Sequence, residues 1–212
     1  MRRRDFVKGT AALLLVQEAL AQGRLEKGVY RLRGDVHVNG ANAQQGGELR
    51  PGDTVRTQAG GEIVFVSQRD SFLVRQNSEV SLVANGLRVV TGAVLSVFAP
   101  GERKEIRTAT AVIGIRGTAV YIEAEASRTY ACTCYGEAVL TPIAQPAAAE
   151  TVRTTHHESP RYIMASGAPQ MVMPAPVINH TDAELILLES LVGRQPPFVF
   201  PKADYSGPRR SY

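Results

Sequence analysis

The feature that most restricts this fold is a succession of about ten short runs rich in Val, Ile, Leu and Thr between Val29 and Leu140. Among them are Val36-His37-Val38, Thr54 to Thr57, Ile63 to Val66, Phe72 to Val74, Leu87 to Val90 and Val94 to Phe98. Pairs such as Asn39-Gly40, Gly46-Gly47, Gly60-Gly61, Asn85-Gly86 and Pro100-Gly101 punctuate them, and these residue types favour tight turns. No helical period lies between. The pattern predicts a mainly β fold and leaves sandwich, barrel and short solenoid open.

Residues 108–125 sharpen the picture. An alternating apolar run enters Gly114-Ile115-Arg116-Gly117-Thr118, and a second one, Val120-Tyr121-Ile122-Glu123, leaves it. Period-two alternation on both sides of a glycine-permitted passage reads as strand, constriction, strand. Upstream stands Gly52-Asp53-Thr54-Val55-Arg56-Thr57, followed by Glu62 to Val66, a turn, and Phe72 to Val80. Over roughly residues 34–140 this order resembles the FecR domain, with its G-D-x-x-x-T element and its V-x-V-R-G-T signature. The family's Asp-Gly-Ser turn is here Arg69-Asp70-Ser71, and its usual aromatic after R-G-T falls on Ala119-Val120. The resemblance implies a compact β-roll or solenoid-like stack, with Gly52, Asp53, Arg116, Gly117 and Thr118 as structural motif residues. It also implies a periplasmic, non-enzymatic domain of envelope signalling or regulation, with an envelope protein as partner. Full-length regulators of that family carry a cytoplasmic anti-sigma segment and a membrane span ahead of the domain. Here a leader occupies that place, so the expectation is a stand-alone binding module.

Residues 1–21 read as that leader. A basic start precedes an apolar run from Gly9 to Val16 and a small-x-small site at Ala19-Leu20-Ala21. Arg3-Arg4-Asp5-Phe6-Val7-Lys8 resembles the twin-arginine export signature, with Arg3, Arg4 and Phe6 as its signal residues. The apolar run is short of the ~20 residues of a membrane span, so no span is expected in the mature chain. The formal net charge is +4. The leader's four basic residues against Asp5 and Glu18 supply half of it. A balance so close to neutral is no footprint for nucleic acid. The absence of tryptophan removes the best base-stacking side chain.

The β-domain is expected over 22–142, an extension with one or two strands and a Pro-rich loop over 143–180, and a helix with tail over 181–212. Pro142 to Ala149 reads as a linker or surface loop, Thr151 to His157 as a further strand, and Ser166 to Pro176 as irregular backbone. Thr181-Asp182-Ala183-Glu184 fits a capping box. Leu185, Leu188 and Val192 recur at helical spacing, and Gly193 stands where a left-handed cap belongs. A helix near Asp182 to Val192 follows. The apolar tail Phe198-Val199-Phe200-Pro201 needs a docking surface.

Cys132-Thr133-Cys134 is the sharpest local feature beyond these motifs. On a strand both sulfurs project from one face. As thiolates they offer two soft ligands to zinc, copper or iron, with His156, His157 or His180 completing the set. As a disulfide the pair sits near its limit, because two extended residues separate α-carbons by about 6.6 Å. As inert thiols they are small apolar residues. Adjacent strand residues face opposite ways, so at most one of His156 and His157 readily joins the cysteines. His37 alternates with valines and is expected to face solvent. Tyr135-Gly136 reads as a turn.

Enzyme signatures are scarce. Gly-x-Ser-x-Gly, His-Glu-x-x-His and Gly-x-x-x-x-Gly-Lys are all missing. Asp35, Asp53 and Asp70 sit in turn contexts, where carboxylates cap backbone amides. Gly114-Ile115-Arg116-Gly117 resembles the G-x-x-G loop of KH domains, but that loop joins helices and this one joins strands. The sequence thus points to a non-enzymatic periplasmic module. The alternative is a metal-binding or redox-responsive protein built on the Cys-x-Cys pair and a histidine.

Overall fold

The computed structural model describes residues 27–198. Their strands are β1 Gly28–Arg33, β2 Val36–Val38, β3 Ala41–Asn42, β4 Thr54–Thr57, β5 Glu62–Ser67, β6 Asp70–Val74 and β7 Ser78–Val83. There follow β8 Gly86–Val97, β9 Arg103–Arg107, β10 Ala111–Ala124, β11 Arg128–Pro142, β12 Glu150–Thr154, β13 Arg161–Met164 and β14 Val172–Pro174. One helix, α1 Asp182–Leu191, ends the series. The fold is mainly β, an unclosed 14-stranded sheet in which every pairing is antiparallel except β8 with β9.

Three long strands turn this sheet into two layers. Residues 86–91 of β8 pair with β7 and β9, whereas residues 92–97 pair with β6 and β10. Strand β10 pairs with β9 up to Arg116 and with β8 from Ala119. Strand β11 pairs with β13 near its start and with β12 from Gly136. The change-over falls on Gly92, Gly117 and Gly136, all with positive φ, and β10 carries a bulge between Arg116 and Ala119. Bulges and glycines are how strands switch sheets at a corner. At Gly136 (φ 90°) a Cβ would stand 2.5 Å from the Thr118 Oγ1, so the corner excludes any side chain there.

Between the layers lies the main core, in which Phe65, Phe72 and Phe98 meet at centroid distances of 5.1 and 5.7 Å. Ile106, Ile113, Ile122 and Leu140 surround them. The second layer is buried on both faces: β6 is buried throughout and β5 at every residue but Glu62. Its outer face carries Val64, Leu73, Leu95, Tyr121 and Tyr135, and α1 lies over it through Leu185, Leu187, Leu188 and Leu191. Leu185 and Leu188 are fully buried, each stabilising the layer by about 1.5–3 kcal/mol. Helix α1 starts on the capping box read from sequence, with Glu184 N bonding Thr181 Oγ1 at 3.4 Å and Thr181 N bonding Glu184 Oε2 at 3.0 Å.

Several expectations need correction. Tyr135-Gly136 is not a turn but the corner of β11, because a left-handed glycine bends a long strand as readily as it ends one. Residues 166–176 are not wholly irregular: β14 pairs with β13, and its Pro174 is tolerated on an edge strand. Strand β12 stops at Thr154, before the histidines. Strand β11 runs through Pro142, and a short 3-10 turn occupies Pro146–Ala148. His37 is half-buried, with Nδ1 3.2 Å from Asp35. Asp70 caps the Ala99 amide at 2.8 Å and pairs with buried Lys104 at 3.2 Å. Among the described residues no helix is long and apolar enough to cross a membrane. Arg3, Arg4 and Phe6 lie outside the described residues, as does the tail beyond Phe198.

Candidate metal centre

The first half of β11 is buried on both faces, and alternation turns Cys132 and Cys134 together toward the cover that includes α1. Both are free thiols with no solvent exposure. The chain then traverses β12 and turns sharply. Glu158 accepts from the Thr155 amide at 2.7 Å, and His157 adopts φ 57° while its amide bonds the Cys134 carbonyl at 3.0 Å. Only one of the two adjacent histidines therefore reaches the cysteines, as expected from strand alternation. His157 points inward and His156 lies outside it. His180 arrives from the opposite direction. Asn179 is also left-handed (φ 56°), and the His180 ring stacks on Tyr121 at 4.6 Å and 21°.

The result is a buried cluster of Cys132, Cys134, His157 and His180, with all four ligating atoms within 4.8 Å of one another. Cys132 Sγ is 3.4 Å from His157 Nδ1, which in turn is 3.0 Å from His180 Nε2. A tetrahedral centre with bonds near 2.0 Å to nitrogen and 2.3 Å to sulfur needs ligand–ligand edges of about 3.3–3.8 Å. The cluster already approximates such a cage.

Each histidine has its second nitrogen committed elsewhere. His180 Nδ1 donates to the Ile178 carbonyl at 2.6 Å, and His157 Nε2 donates to Asp182 Oδ1 at 2.9 Å. A carbonyl and a carboxylate accept only, so His180 Nδ1 and His157 Nε2 carry hydrogens, and His157 Nδ1 and His180 Nε2, 3.0 Å apart beside the sulfurs, are the nitrogens that would bind an ion on losing the proton between them. Ligating histidines are oriented by such carboxylate and carbonyl partners in metal sites.

The electrostatics point the same way. Burial pushes the Cys132 thiol up, but hydrogen bonds with Cys134, His157 and His180 outweigh it and hold it well below its ordinary range. Burial, reinforced by Cys132, pushes Cys134 well above. Burial disfavours the His157 cation, yet Asp182 and Cys132 overcome it and raise the imidazole to about 9. Asp182 is lowered despite burial because it accepts from His157 and His156. These shifts favour a thiolate at Cys132 beside an imidazolium at His157 when no ion is bound. A divalent cation with two thiolates makes a neutral centre, the charge state that burial favours. The order Cys132, His157, Asp182 also matches that of a thiol nucleophile, its base and an orienting carboxylate. Both sulfurs, however, are fully buried.

Four of the five residues singled out from the sequence therefore converge. His156 does not: its Nε2 is 2.9 Å from both oxygens of Asp182, its ring rests on Phe198 at 4.5 Å, and it is partly exposed. Two participants were missed. Asp182 reads in sequence as the first residue of a helix, where acids are favoured by the dipole. Tyr121 reads as an ordinary strand aromatic. The motif residues lie elsewhere. Gly52 (φ 105°) and Asp53 shape the turn before β4, with Asp53 Oδ2 accepting from Arg50 N at 2.7 Å. Thr118 Oγ1 lies 2.9 Å from the Arg116 carbonyl and accepts from Glu137 N at 3.0 Å, tying the β10 bulge to β11.

No family model matches the sequence, and no curated protein matches it. Two solved structures from Parabacteroides distasonis, both described provisionally as anti-sigma factors, are similar in shape. The first gives a TM-score of 0.48 at 8 % identity, covering 57 % of this chain and 58 % of that one. The second gives 0.49 at 10 % identity, covering 75 % and 85 %. Likeness at that level assigns neither a family nor a role.

Proposed function

We propose that this chain is a non-enzymatic, FecR-like module of the bacterial envelope, built around a buried Cys2His2 site for a divalent transition metal. The observation that carries the metal assignment is the convergence of two buried thiols with two buried histidine nitrogens, each imidazole held by an accepting partner on its other nitrogen, Asp182 for His157 and the Ile178 carbonyl for His180. Two sulfurs and two nitrogens in tetrahedral reach suit zinc best. The ion would tie β11, the turn after β12 and the segment leading into α1 into one unit, a structural task. The FecR-like order of motifs supports the envelope role. The leader-like residues 1–21 support export, in which ligation would protect two neighbouring thiols from oxidation. Elemental analysis of protein purified without a histidine tag tests the assignment. About one equivalent of metal, lost on replacing both cysteines by serine, is expected. Less than about a tenth of an equivalent in the unmodified protein overturns it.

A further inference from the structure

The outer face of the first layer carries a charge pattern that the metal reading does not use. Along β4, β7, β8, β9, β10, β11 and β12 it exposes six arginines and three glutamates. Residues 27–198 as a whole balance sixteen basic against sixteen acidic side chains, so the excess on this face is segregation. Each glutamate is already taken by one arginine: Glu79 by Arg56 at 3.0 Å, Glu105 by Arg107 at 3.2 Å and Glu137 by Arg153 at 2.6 Å. Arg88, Arg103 and Arg116 remain without an acidic partner among the described residues.

Two of these stand directly opposite each other. Arg103 on β9 pairs in register with Arg116 on β10, an arrangement of like charges that destabilises a sheet. The Thr118 contacts and the bulge at Gly117 hold Arg116 in place. Beside them Gly114, with Glu105 and Val139 as cross-strand neighbours, leaves the sheet without a side chain. A Cβ there would meet nothing nearer than 3.9 Å. The recess is the floor of an open cleft of about 390 Å³ lined by Arg103, Gly114, Arg116, Glu137 and Val139. Glycine inside a strand marks places where another backbone approaches closely.

We propose that this cleft is a docking site for an extended acidic segment of a partner protein, with its carboxylates on Arg103 and Arg116 and its backbone over Gly114. Guanidinium forks match carboxylates in two-pronged geometry, and this geometry gives specificity as well as attraction. The concave floor and exposed Val139 (37 %) suit alternating acidic and apolar side chains. A lipid surface fits less well, because this face carries no aromatic side chain and no exposed lysine to anchor it.

The test is fluorescence anisotropy with a labelled peptide of about eight residues alternating Glu and Val, beside its Gln-Val counterpart and vesicles containing phosphatidylglycerol. Saturable binding of the acidic peptide that weakens as salt rises is expected. A loss of about tenfold or more is expected in R103E/R116E. Gly114→Leu fills the recess and should weaken binding without changing charge. Arg128→Glu, at the far end of β11, should leave it unchanged. Equal binding of both peptides, indifference to R103E/R116E and Gly114→Leu, or capture of vesicles with the peptide ignored would each overturn the proposal. Circular dichroism checks that the variants fold, and salt dependence in the unmodified protein stands apart from any variant.

Discussion

Asp182 joins helix α1 to His157: its Oδ1 accepts from His157 Nε2 at 2.9 Å while its backbone forms the first residue of the helix. The first residue of the helix therefore orients one histidine of the cluster, and His180, a second, lies two positions before it. An ion in the proposed site would thus be linked to the docking of α1 through residues 180–182.

That linkage gives a first prediction. Asp182→Asn keeps the size and the helix start but replaces the charge that fixes the His157 tautomer. Metal affinity should fall by about 10–100-fold, the usual effect of losing a ligand's orienting partner. Competition against a chromophoric chelator reads this directly, and affinity unchanged within twofold or so would show that Asp182 serves only the helix.

Metal removal should destabilise the whole chain rather than a loop, since the ligands come from three separate segments. With free ion at about 100 times its dissociation constant, binding adds ~2.7 kcal/mol. For a chain of this size that corresponds to roughly 5–10 °C in melting temperature. Calorimetry before and after dialysis against a chelator should show that drop, with recovery on adding zinc. An identical melting temperature in both states would contradict a structural ion.

In the metal-free form, the pH dependence has a definite sign. His157 is raised to about 9 from 6.5, so its folded state holds a proton that the unfolded chain releases. Its stabilising contribution is complete below pH 6.5 and disappears as pH rises through about 9. Urea titrations of chelated protein should therefore show the unmodified chain losing its advantage over His157→Asn across that window. An advantage that grew with pH instead would mean the neutral imidazole is the favoured form.

What the sequence made legible follows from which forces are local. The apolar strand-forming runs of β5 to β8 and the caps of α1 depend on neighbours within a few residues, and both could be read directly. The shared face of Cys132 and Cys134 is equally a local consequence of strand geometry. The corner at Gly92, Gly117 and Gly136 was not legible, because one left-handed glycine looks alike in a hairpin and in a bent strand. Neither was the choice between His156 and His157, because strand β12 ends at Thr154 and the turn that follows sets which ring faces inward. The arginine face was hidden for another reason. Arg88, Arg103 and Arg116 are scattered along the chain, and only cross-strand register brings them together.

The corner itself supplies the last prediction. Gly136 has φ 90° and would place a Cβ 2.5 Å from Thr118 Oγ1, the atom that accepts the Glu137 amide at 3.0 Å. Gly136→Ala therefore meets two penalties, a left-handed backbone and a clash with a buried hydroxyl whose hydrogen bonds hold the bulge. A loss of about 1–3 kcal/mol in unfolding free energy is expected. Gly40→Ala, also at positive φ (83°) but with nothing within 4 Å of the added carbon, isolates the backbone part. If the corner is a steric requirement of two crowded strands, Gly136→Ala costs clearly more than Gly40→Ala in denaturant titrations. Equal costs would reduce the corner to a matter of glycine φ alone.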